Sequence, residues 1–352
     1  MGTTGTIGTA TFNNQKIIDY AFRACRLAPQ QISGEYIQVA LDQMQLMLYD
    51  WPNDAVPLWC KTKYILPMLQ GVPAPIMPTT GIVDILEANL RQCTRFTGSY
   101  TSSEGNAALA FDSNPQTACT QATAGGNITL QLTTATAVEN VGIMPAVAGT
   151  WDVALQYSGD GATWITFYQD AAFSAVAGQF AWLDFDGLPV AKYWRLQATA
   201  PTVLNVAELF FGNNPMEIPV ARINVDDYWN LPNKKFQGRP VQYWCDRQAS
   251  GPVMRMWPVP ALAYVFQQIT ILAHRFVMDV GDMRDTIEAP LFAFNALFLS
   301  LAEKLRLVIP EVDKQATAEV PQMAMDARKR LWGQDVDDSP INLQLDISPY
   351  TS

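Results

Sequence analysis

Apolar residues recur at three- and four-residue spacing toward both ends of the chain, and at two-residue spacing between them. Ile17, Ile18, Ala21, Phe22 and Cys25 form one stripe ending before Pro29, which predicts a short helix. Ser33 is placed to cap a second, on which Ile37, Ala40, Leu41, Met44, Leu48 and Trp51 share a face as far as Pro52. A short antiparallel helix pair is the simplest arrangement of the two. Residues 82–90 mix apolar and acidic positions and read as a strand. Near the other end, Pro290 suits a first helical turn, and Leu291, Phe294, Leu297, Phe298, Leu301 and Leu305 give a strong stripe. Phe292, Leu299 and Ala302 make that helix apolar on its other faces too, which places it at the centre of a bundle or in an oligomer interface. A further helix is expected within 311–332, closed by Gly333 and kinked or restarted by Pro321. Residues 333–352 are polar with scattered apolar anchors and read as an arm that docks onto something.

The pattern changes over residues 97–212. Short alternating runs at 128–132, 151–155, 164–167 and 193–196 are separated by turn signals. Ser158-Gly159-Asp160-Gly161 is the clearest of these, because Asp-Gly adopts positive φ cheaply. Repeated strands with close turns predict an antiparallel sandwich. Residues 241–256 and 266–277 also have strand-like apolar and aromatic content. Charge separates the middle zone as well: Lys192 and Arg195 are its only cations against nine carboxylates, so most of the net charge of −10 lies there.

Composition then excludes several classes. With 352 residues at about 150 per domain, two domains are expected. Only 16% of residues are charged and 49% are hydrophobic, which is incompatible with a disordered chain. No basic surplus exists to neutralise phosphates, which argues against a nucleic-acid binder of that type. A single histidine, His274, rules out any site built on two imidazoles. Five scattered cysteines without a CxxC form neither a zinc framework nor a disulfide scaffold, and are expected as free thiols in a reducing cytosol. The polar lead lacks the basic and apolar segments of a signal peptide. Prolines interrupt residues 64–83, and 289–302 falls short of the roughly 20 residues that span a bilayer, so no membrane span is expected.

Four stretches of the outer zones resemble the head-to-tail adaptor family of short-tailed phages. They are Lys16-Ile17-Ile18-Asp19-Tyr20-Ala21-Phe22-Arg23, and Ala40-Leu41-Asp42-Gln43-Met44-Gln45-Leu46-Met47-Leu48 running into Tyr49-Asp50-Trp51. The third is Gly238-Arg239-Pro240-Val241-Gln242-Tyr243-Trp244, followed by Met256-Trp257-Pro258-Val259-Pro260, and the last is the helix from Ala289-Pro290-Leu291 to Leu301-Ala302-Glu303-Lys304-Leu305. This resemblance implies a structural, non-enzymatic virion protein at the head-tail junction, assembled in the host cytoplasm. Its partners would be copies of itself in a ring of twelve, the portal, a tail tube or nozzle protein, and DNA passing through the channel without sequence-specific binding. Leu343, Leu345, Ile347 and Tyr350 are the apolar anchors by which the arm would meet the portal.

The middle zone resembles a discoidin-type, galactose-binding-like jelly roll, through Ala110-Phe111-Asp112-Ser113-Asn114-Pro115-Gln116-Thr117, Ser158-Gly159-Asp160-Gly161-Ala162-Thr163-Trp164, Tyr193-Trp194-Arg195-Leu196 and Val206-Ala207-Glu208-Leu209. The fold class expected is therefore α+β multidomain. A discontinuous helical adaptor body (1–96 and 213–352, with 333–352 as arm) is interrupted by a β-sandwich at 97–212. In such modules an Asp, a Thr and a late Glu gather around structural calcium, and Asp112, Thr117 and Glu208 hold those places, the motif's usual aromatic after the Thr being Ala118-Cys119 here. Asp112 equally suits capping its own Asp-Ser-Asn-Pro turn, with Glu208 a solvated edge residue. Trp151, Trp164, Trp182 and Trp194 are available as sugar platforms, or as core at strand positions. A lectin-like role of the sandwich is the main rival reading. A glycan-cleaving enzyme would need a carboxylate pair on a larger scaffold than the helical zones provide. His274 lacks a nucleophile motif around it, and Asp279, Asp282 and Asp285 lack the EF-hand pattern.

Overall fold

The computed structural model describes residues 13–54, 58–78, 81–277 and 282–334. Leu343, Leu345, Ile347, Tyr350 and Asp279 lie outside the described residues. The chain divides into two compact units, one formed by residues 1–62 and 274–352 and the other by 63–273.

Helices α1 (Asn14–Ala24), α2 (Gly34–Asp54), α4 (Phe294–Val308) and α5 (Val320–Gln334) build the first unit, while α3 (Val225–Asn230) belongs to the second. The Asn13 side chain accepts the Lys16 N–H at 3.1 Å, and Ser33 Oγ accepts the Tyr36 N–H at 3.3 Å, so both early helices start on the polar cap that their sequence provides. Ile17, Ile18, Ala21 and Phe22 of α1 and Ala40, Met44, Leu48 and Trp51 of α2 are buried against α4, whose Leu297, Leu301 and Leu305 are inaccessible. Helix α4 packs on α1, α2 and α5, which accounts for its apolar character on nearly every face. Two boundaries differ from expectation. Helix α2 runs past Pro52 to Asp54, and α5 begins with Pro321 in its first turn, where a missing N–H costs nothing, and continues through Gly333.

The second unit is β structure with short helical turns. Its strands are β1 (Lys61–Pro67), β2 (Ile82–Arg95), β3 (Ser99–Ser102), β4 (Cys119–Thr120), β5 (Asn127–Thr136), β6 (Asn140–Pro145), β7 (Gly149–Ser158), β8 (Ile165–Ala175) and β9 (Ala181–Asp184). They continue with β10 (Ala191–Ala198), β11 (Asn205–Pro219), β12 (Ala221–Ile223), β13 (Gln237–Gly238), β14 (Gln242–Gln248), β15 (Gly251–Trp257), β16 (Val259–Pro260) and β17 (Gln268–Arg275). A sheet ordered β3-β5-β10-β7-β8 faces a second ordered β1-β17-β2-β11-β6-β9, with β4 also on β11. Ile128, Leu130, Val153, Leu155, Trp194 and Leu196 of the first meet Val141, Ile143, Leu209 and Phe211 of the second, giving an antiparallel sandwich of the jelly-roll kind.

The expected helical body of 1–96 and 213–352 is helical chiefly at its two ends. Residues 61–95 and 213–275 are mostly strand, because their apolar positions alternate and are interrupted by prolines. The limit expected at 212/213 falls inside β11, which pairs with β2 from Gly212 opposite Arg95 to Pro219 opposite Asn89. Residues 206–212 of β11 are buried throughout: Leu209 and Phe211 enter the sandwich core, while Ala207 and Phe210 join a second cluster with Met144, Phe180, Trp182 and Val265.

Candidate binding site

The hairpin between β7 and β8 is built by its own polar residues. Asp160 accepts hydrogen bonds from the Ala162 and Thr163 N–H groups and from Ser158 Oγ, and these hold its carboxyl well below the usual range. Gly161, at φ +78°, lies against the Tyr193 ring, and a Cβ there would approach that ring to 3.2 Å.

The hairpin delivers Trp164 to β10. Of the four tryptophans considered as platforms, Trp151, Trp182 and Trp194 are buried, the last completely; Trp164 alone remains partly exposed. The Arg195 guanidinium lies over its ring at 3.9 Å. On β10, Trp194 and Leu196 point into the core, so Tyr193, Arg195 and Gln197 take the outer face. The register aligns Thr101, Thr129, Arg195, Gln156 and Thr166 in one row across all five strands. Arg195 Nε donates to Gln156 Oε1 at 2.6 Å, and Gln156 Nε2 donates to Thr166 Oγ1 at 2.8 Å. Burial pulls the Arg195 pKa down, and among the described residues no carboxylate pairs with it. Chemically this is a row of hydroxyl, amide and guanidinium groups beside one aromatic face, suited to a polyhydroxylated ligand with an apolar side.

The residues expected to hold calcium are brought together. Asp112 Oδ1 accepts the Asn114 N–H at 2.9 Å, and Asp112 Oδ2 accepts from Thr117 Oγ1 at 2.7 Å. Glu208 is fully buried, where a solvated edge residue was the alternative. Arg95 bridges the two parts: Nη1 donates to Ser113 Oγ at 2.8 Å, and Nη2 donates to Glu208 Oε2 at 2.7 Å and to the Leu209 carbonyl at 3.0 Å. Burial pushes the Glu208 carboxyl up to about 7, against the opposing charge and hydrogen bond of Arg95. Both Asp112 oxygens are therefore engaged, one Glu208 oxygen holds a guanidinium, and the Asn114 N–H also faces the Glu208 carboxyl. Calcium takes six to eight oxygens, so this donor set does not fit the ion while Arg95 is in place. Among the described residues no group of three or more His, Cys, Asp or Glu side chains could hold a metal. Arg95 lies just before the middle zone, outside the stretches that point to the site; the sequence signal for it is the acid inside the apolar run 206–211, which demands a counter-ion.

In the helical unit, a groove of about 670 Å³ is lined by Met47, Trp51, Leu307, Met325, Arg328 and Trp332, among others. Leu46, Tyr49, Val308 and Met323 are exposed, as is Leu307 at 67%. His274 is buried on β17. Among the described residues no helix is long and apolar enough to cross a membrane.

No family model matches the chain, and no curated protein matches it significantly. Solved structures similar to it include chitosan-binding module 1 of a chitosanase/glucanase from Paenibacillus sp. IK-5, at 20% identity over 35% of this chain and 99% of that one, with a TM-score of 0.30. The CBM32 of AlyQ in complex with 4,5-unsaturated mannuronic acid is 18% identical over 34% of this chain and 99% of its own, with a TM-score of 0.30. CBM62 from Clostridium thermocellum Xyl5A is 19% identical over 35% of this chain and 98% of its own, with a TM-score of 0.31. The likeness covers about a third of this chain and nearly the whole of each module, and it concerns fold alone.

Proposed function

We propose that the sandwich binds carbohydrate, with Trp164 as the apolar platform and Arg195, Gln156 and Thr166 as the polar row beside it. The observation that carries this reading is the stack of Arg195 on the partly exposed Trp164, with no carboxylate among the described residues to occupy the guanidinium. A guanidinium held by an aromatic ring and, through Nε, by one amide is already ordered, so its remaining donors can meet a ligand at little further entropic cost. The test is a glycan array on the full-length protein, followed by calorimetry of any hit. Trp164→Ala and Arg195→Ala should each weaken binding about tenfold or more, close to 1.4 kcal/mol, with unchanged circular dichroism. A competable hit whose affinity neither substitution alters would refute the assignment.

A second reading, in which the protein acts as a head-to-tail adaptor ring between portal and tail of a virion, is supported by the large apolar side chains that α2, α4 and α5 leave exposed, Leu46, Tyr49, Leu307 and Met323. Copies packed against these side chains would bury them, and repeated interfaces in a closed ring add avidity. Its test is negative-stain imaging of the protein with its portal, where stacked rings are expected. Truncation after Gly333 should weaken the complex, since it removes Leu343, Leu345, Ile347 and Tyr350. Single particles indifferent to the portal would refute it.

A further inference from the structure

Glu208 is the one acid in the buried run Val206-Ala207-Glu208-Leu209-Phe210-Phe211, and a lone buried carboxylate is costly unless a cation meets it. The cation that meets it comes from another strand. Arg95 ends β2, and its guanidinium spans three acceptors on two segments: Ser113 Oγ in the turn, and Glu208 Oε2 and the Leu209 carbonyl on β11. Its apolar surroundings, with the Phe210 and Phe266 rings at 5.7 and 5.6 Å, hold it in that position. Ser113 has φ +61°, so the turn adopts a left-handed residue at the point where it touches the guanidinium.

The geometry points to a built-in replacement: we infer that the Arg95 guanidinium does the work of a divalent cation in joining the 112–117 turn to β11, and that removing it opens a site for calcium. The oxygens that would be released are hard donors, namely Glu208 Oε2, the Leu209 carbonyl and Ser113 Oγ, beside Glu208 Oε1, Asp112 and Thr117. With Arg95 present, a calcium ion would have to share Glu208 with the guanidinium, and repulsion between the two cations opposes its entry. The wild-type fold is thus independent of free calcium. This inference does not rest on the carbohydrate reading, since it involves neither Trp164 nor Arg195.

The experiment uses the full-length protein, its Arg95→Ala variant and the Arg95→Ala/Glu208→Gln double variant, melted in chelator, in calcium chloride and in magnesium chloride. The wild type should melt at the same temperature in all three and give no heat on calorimetric titration with calcium. Arg95→Ala should melt lower in chelator and recover by about 3 °C or more in calcium, less in magnesium, while the double variant should not respond. Arg95→Gln provides the same measurements if the alanine variant does not fold. A wild type that calcium stabilises would overturn the inference, and so would a folded Arg95 variant blind to calcium.

Discussion

Replacing Glu208 with glutamine tests the sign of a pH-dependent contribution to stability. The carboxyl is fully buried, and burial outweighs Arg95 sufficiently to raise its pKa from 4.5 to about 7. The native state therefore binds the proton more tightly than the unfolded chain. Stability from this group is fully present below about pH 4.5 and is lost as pH rises through about 7. At 1.36 kcal/mol per pH unit, that interval corresponds to about 3 kcal/mol. Glutamine keeps the shape but does not titrate. Urea unfolding of wild type and Glu208→Gln at several pH values should show the variant gaining on the wild type by about 3 kcal/mol between pH 4.5 and 7, then no further. If Arg95 instead dominated, the native pKa would be depressed and the wild type would gain on the variant as pH rises. A stability difference that is flat across this range, or that runs in that opposite direction, would refute the reasoning.

Asp84 carries the opposite sign. Burial raises its pKa, but hydrogen bonds from Arg247 and Cys245 and the charges of Arg222 and Arg247 outweigh it, so the net direction is down. Its contribution is present above the ordinary value of 3.8 and is lost as pH falls through its native value, so Asp84→Asn should cost about 1–3 kcal/mol near neutrality and flatten the acid limb of a stability–pH curve. Leu301 is wholly inaccessible on the helix at the centre of its unit, and Leu301→Ala should cost about 2–5 kcal/mol in denaturant melts. At Gly142 a Cβ would sit 2.3 Å from the Trp182 ring, which is itself stacked on Phe180 at 4.4 Å; Gly142→Ala should cost about 1–3 kcal/mol and alter tryptophan fluorescence.

The helices were legible because their determinants are local. The stripe Ile17, Ile18, Ala21, Phe22 repeats within one helix, and the cap at Ser33 lies three residues from the N–H it satisfies. The β7–β8 hairpin was legible for the same reason, since Asp160 bonds to Ser158, Ala162 and Thr163, all within three residues of it. Tryptophans were not sortable in this way. Trp151, Trp164, Trp182 and Trp194 occupy similar alternating or turn-flanking contexts, and a one-residue change of register exchanges core for surface, so only the assembled sheet singles out Trp164. The bond between Arg95 and Glu208 spans 113 residues and depends on β2 and β11 meeting with Arg95 opposite Gly212. At that crossing a side chain on residue 212 would come within 2.7 Å of the Thr94 carbonyl, so glycine there is what lets the two strands close. An acid in an apolar strand thus announces that a cation must reach it, whereas which cation does so is decided by strand register, a property of the sheet and not of either segment.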